Sequence, residues 1–94
     1  MVELVYRYPV SGEQYQRLME FIENYAGKMF YGRMDLLFKL FQLLRLEEHS
    51  IGLRADSVEL VIPSGEEGFI VLDSGWTIRI YMDKEGYWVG VMRP

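Results

Sequence analysis

The hydrophobic pattern of this chain switches period at Gly52, and that switch constrains the fold more than any other feature. From there onward apolar and polar residues alternate, with glycine-bearing turns interrupting the alternation three times. A period of two means extended chain with one face turned inward. Residues 57–62, 69–73, 76–82 and 87–92 therefore read as four strands. Their joints, 63–68, Ser74-Gly75 and 83–86, are short enough that consecutive strands pair antiparallel as a meander.

The first half follows other rules. Residues 2–8 alternate with large side chains at even positions and stop at Pro9, which cannot donate to a ladder, so they read as a first strand. Ser11 stands three residues before Gln14, the spacing of a capping box. Tyr15, Leu18, Met19, Ile22, Tyr25 and Ala26 then recur at helical spacing up to Gly27. A helix over 12–26 follows, with an apolar stripe about 120° wide and Phe21 just outside it.

Residues 28–32 read as a hinge into a second helix, 33–46, whose apolar residues sweep about 180° of the wheel. That arc, from Leu43 and Leu36 round to Phe41 and Met34, is too wide for one contact. Either this helix lies between the first helix and the sheet, or a second copy or another partner covers part of it. The whole is expected to be one α+β domain over residues 1–94. Its layout would be a two-layer β-α-α-β-β-β-β arrangement with the antiparallel meander sheet packed on two helices.

Composition narrows the function classes. The chain has 94 residues, 10 basic and 14 acidic side chains, a net charge of -4, half its residues hydrophobic and no cysteine. Without cysteine there is no disulfide scaffold, thiolate zinc site or cysteine nucleophile. The acidic balance opposes the basic footprint of a duplex-DNA binder. Apolar runs such as 36–38 and 69–72 are far too short to span a bilayer, and the opening residues lack the features of a secretory signal, so a cytoplasmic location is expected. One asparagine, three glutamines and more arginine than lysine resemble a thermophilic composition, although six methionines point the other way.

The expected register sets Asp73 opposite Trp76 and Met82 opposite Tyr87. Val71 then meets Ile78, Phe69 meets Ile80, Ile80 meets Val89 and Ile78 meets Val91. That face, joined by Val58, Leu60 and Ile62, and by Leu4 and Tyr6 if the first strand lies at an edge, is the expected core side. The opposite face would carry Val61, Ile70, Leu72, Thr77, Arg79, Tyr81, Trp88 and Met92, with Glu3, Val5, Arg7 and Glu59 toward its margins.

Signals for chemistry are sparse. His49, the only histidine, sits in Glu47-Glu48-His49-Ser50 at the end of the second helix. A histidine there interacts favourably with the helix dipole, and a neighbour about 100° away on the wheel is not a prearranged acid–base partner. One imidazole and no thiol make no zinc site, and the acids of the turns (Glu66, Glu67, Asp83, Glu85) match no calcium loop. Neither the serines nor the glycines form a nucleophile elbow, a dinucleotide fingerprint or a Walker loop. No catalytic residue, cofactor or metal is assigned.

The expectation that remains is an interaction module. Trp, Tyr, Met and Arg are enriched at protein contacts, and an apolar sheet face usually has a partner. The candidate interface is Arg79, Tyr81, Trp88, Met92, Ile70 and Leu72, and the expected partner is a second copy or another protein, with no membrane. One alternative is single-stranded nucleic acid held on the aromatic and arginine face. Another is an enzyme or a small apolar ligand site near His49.

Overall fold

The computed structural model describes residues 3–45 and 52–94. Among the described residues, six strands and two helices run in the order β1 (Glu3–Val10), α1 (Gly12–Tyr25), β2 (Met29–Arg33), α2 (Met34–Leu44), β3 (Val58–Ser64), β4 (Glu67–Leu72), β5 (Thr77–Asp83) and β6 (Gly86–Arg93). They form one antiparallel sheet, in the spatial order β1-β6-β5-β4-β3-β2, with the helices against one side. The expected α+β class and the C-terminal meander are both present. The first strand lies at an edge, beside the last.

The segment 28–32, expected as a hinge, instead contains an extra edge strand. β2 pairs with β3 through Met29 opposite Leu60 and Arg33 opposite Val58. Its five residues are too short for a period to be visible, and Gly32, at φ 64°, reads locally as a break. The strand runs into α2 without a loop.

Ser11 caps α1 as its spacing predicted, accepting a 3.0 Å hydrogen bond from the Gln14 backbone N–H. Tyr15, Leu18, Phe21 and Ile22 are buried. Phe21, expected outside the stripe, is covered because α1 faces α2 as well as the sheet, and its ring meets Tyr25 at 4.9 Å. At Gly68 the helix comes so close that a Cβ would stand 2.5 Å from Ile22 Cδ1. The Tyr15 hydroxyl donates to the Glu66 carbonyl, tying the helix to the β3–β4 turn.

α2 packs beside α1 and on β3, not between α1 and the sheet. Leu36, Leu37, Leu40 and Leu44 are buried, and the Tyr8 hydroxyl donates to the Leu44 carbonyl at 2.7 Å. The Met34 end of its wide apolar arc is left outside, 54% exposed, and Phe38, beyond that end, is 63% exposed. Arg45, in the left-handed region, ends the helix two residues before the expected boundary.

The core beneath the helices contains Val58, Val61, Ile70, Leu72, Ile78, Ile80, Val89 and Val91. On β5 and β6 the expected register holds, with Ile78 opposite Val91, Ile80 opposite Val89 and Met82 opposite Tyr87. On β3 and β4 it is displaced by one residue: Ile70 faces Ile78, Val71 faces Thr77, and Val61 faces Ile70. The cause is the Asp73–Gly75 turn. Leu72 N–H donates to Trp76 C=O and Gly75 N–H to Leu72 C=O, so three residues lie in the loop instead of two, with Gly75 at φ 89°. One extra loop residue sends every side chain of β4 to the other face.

Candidate functional site

The face of the sheet away from the helices is a mixed apolar and cationic surface, and its order follows from the ladder. One row across all six strands is Leu4, Met92, Thr77, Val71, Leu60 and Met29. The next is Arg7, Gly90, Arg79, Phe69 and Ile62. Trp88 and Tyr81 stand side by side beyond it. A bulge between Leu4 and Tyr6 turns Leu4 outward onto this face while Tyr6 and Tyr8 stay on the core side with Val91 and Val89.

Four of the six expected interface residues, Arg79, Tyr81, Trp88 and Met92, lie on this face, each partly exposed. Ile70 and Leu72 do not. Both are fully buried in the core by the register displacement described above, as is Val61. Their places are taken by Phe69, Val71, Leu60 and Ile62, residues the expected register had turned inward. The three-residue loop was the missing signal, visible in sequence only as Asp73-Ser74-Gly75 ending in glycine.

Arginine and aromatic side chains stack along the middle of this surface. The Arg7 guanidinium lies 4.2 Å over the Trp88 ring and donates to the Tyr81 hydroxyl at 3.3 Å. Arg79 lies 4.1 Å over the Tyr81 ring and pairs with Glu67 at 2.8 Å. Trp88 Nε1–H donates to Asp83 Oδ1 at 2.9 Å, and that oxygen also accepts from the backbone N–H groups of Glu85 and Gly86. These donors, Trp88 first, hold the Asp83 carboxyl below its ordinary pKa. Gly90 makes room at the centre: the atoms nearest its missing Cβ belong to Leu4, Tyr81 and Arg79. Guanidinium over ring is favourable electrostatically, and each partner restricts the rotamers of the other.

The stretch Glu47-Glu48-His49-Ser50, the place of the alternative enzyme or ligand site, lies outside the described residues. Among the described residues no group of histidine or carboxylate side chains could hold a metal ion, and no helix is long and apolar enough to cross a membrane. Among the described serines, Ser11 caps α1, and just before β3 the Ser57 N–H donates to Asp73 Oδ1 while the Ser57 C=O accepts from the Asp73 N–H. No protein-family model, curated protein or solved structure matches the chain.

Proposed function

We propose that this protein is an interaction module that self-associates through the helix-free face of its sheet. One observation carries the reading: Phe69, Val71, Leu60, Ile62 and Met92 adjoin Trp88 and Tyr81 on a surface that neither α1 nor α2 covers. Six strands about 4.8 Å apart and about 20 Å long offer a footprint of roughly 600 Å² before side-chain relief. That approaches the about 800 Å² that each partner buries in a standard interface. The exposed stripe of α2 is only a few side chains wide and falls well short. A sheet face packs on its own copy at about 10 Å, the way two sheets form a sandwich.

The aromatic and arginine stack supports a protein partner over nucleic acid. A platform for single strands needs open ring faces, whereas guanidinium groups already lie over Trp88 and Tyr81. Side chains restrained before binding lose less entropy on association.

Light scattering after size exclusion tests the proposal. A dimer is expected at micromolar concentration, with Phe69→Lys and Trp88→Ala shifting the chain to monomer while circular dichroism keeps its folded spectrum. A hot-spot tryptophan contributes about 2 kcal/mol or more, close to a thirtyfold change in dissociation constant. A wild-type chain still monomeric at high concentration would overturn the reading. Salt-sensitive retention of single-stranded oligonucleotide, lost in Tyr81→Ala, would replace it with the nucleic-acid alternative.

A further inference from the structure

A second surface, independent of the open sheet face, lies where β2 runs into α2. There a groove of about 420 Å³ has Phe30 and Met34 in its lining together with the acidic residues Asp56, Glu59 and Asp73. Phe38, one turn along α2 from Met34, extends the exposed apolar side chains on that helix. The volume falls in the range of sites that take a small ligand or a few side chains.

Among the described residues the carboxylates of this groove have no cationic partner. None of the ion pairs among the described residues involves Asp56, Glu59 or Asp73. Arg33, the cation of β2, has its guanidinium 5.8 Å from the centre of the Phe30 ring and is held by Asp35 through two 2.9 Å hydrogen bonds. Arg54, on the same loop as Asp56, pairs with none of the three carboxylates. Asp73 is fixed in place, since its Oδ1 accepts from the backbone N–H groups of Asp56 at 3.0 Å and Ser57 at 3.3 Å.

An apolar lining with a negative rim is the complement of a basic side chain beside an apolar one. The stem of a lysine or arginine can lie along Met34 and Phe30 while its charged end reaches a carboxylate, and methionine adapts its shape to what it meets. A second copy is a poor occupant, because the chain carries a net charge of -4 and no run of basic residues. We propose that this groove docks a short segment of another protein that presents lysine or arginine next to an apolar residue.

The test is an NMR titration of the full chain with a short peptide alternating lysine and leucine. Saturable shifts at Gly32, Met34, Ser57 and Glu59 are expected. Glu59→Lys and Met34→Asp should each weaken binding about tenfold, the first by placing like charges together. Both side chains are exposed, and a thermal melt of each variant confirms that it folds. Equal binding of a lysine and serine peptide would overturn the proposal by reducing it to charge alone. So would calcium chloride shifting the groove resonances when the peptide does not, or the groove signals moving with protein concentration when no peptide is present.

Discussion

Arg7 on the first strand lies 4.2 Å over the ring of Trp88 on the last, with β1 and β6 paired beneath them. The contact joins segments far apart in sequence and covers part of an indole on the open face. Arg7→Ala is expected to move the Trp88 emission to longer wavelength, read in a Trp76→Phe background. It should also lower the denaturant midpoint. Arg7→Lys should recover little, because a compact ammonium does not stack as a planar guanidinium does. Unchanged emission in Arg7→Ala would mean that the stack does not form in solution.

Gly68 is required by the approach of α1 to the sheet. Its missing Cβ would stand 2.5 Å from Ile22 Cδ1 and 3.0 Å from Cγ2, and Ile22 is itself buried. Gly68→Ala is expected to lose about 1–3 kcal/mol, as overpacked cores do. Ile22→Val removes the closer of these atoms, so the two substitutions together should cost less than their sum. Urea denaturation of the four proteins measures the coupling. Strict additivity would place the helix farther from the strand than described.

How much of this architecture was legible depended on where each signal sat. The β5–β6 hairpin was readable because Asp83 and Gly86 close a short turn and the alternation on both sides is long. β3 and β4 have apolar residues on both faces, so Phe69-Ile70-Val71-Leu72 carries no alternation to set its own register, and the turn alone decides it. β2 is five residues of a sheet edge running straight into a helix, a context set by tertiary pairing with β3. The arginine stack was half visible. Arg79, Tyr81 and Trp88 shared a face in the alternation with Arg7 at its margin, whereas the stacking of Arg7 on Trp88 needed β1 to be placed beside β6.

The displaced register makes opposite demands on neighbouring residues. Leu72 is fully buried, and Leu72→Ala is expected to cost about 2–5 kcal/mol. Val71, next to it, is partly exposed on the other face, and Val71→Thr should cost well under that. Gly75 holds the turn at φ 89°, so Gly75→Ala should destabilise by about 1–2 kcal/mol. Chemical denaturation of the three variants checks the order. If Val71→Thr were the costlier core substitution, the two-residue turn would be the correct one.

Acid should weaken the fold through carboxylates that are better satisfied folded than unfolded. Arg33 donates twice to Asp35, and this lowers the Asp35 pKa from its ordinary 3.8 to about 2. Asp73 is also lowered, first by the Asp56 N–H and then by that of Ser57. A depressed folded pKa means that the unfolded chain takes up protons first as pH falls. The contribution of Asp35 is therefore complete above about pH 4 and is lost as pH drops toward about 2. Asp35→Asn and Asp73→Asn should each be less stable than wild type at neutral pH and differ least from it at the acid end. Melting temperatures from pH 2 to 7 test this directly. A gap between wild type and Asp35→Asn that stays constant across that range would remove the Arg33 pair from the account of acid sensitivity.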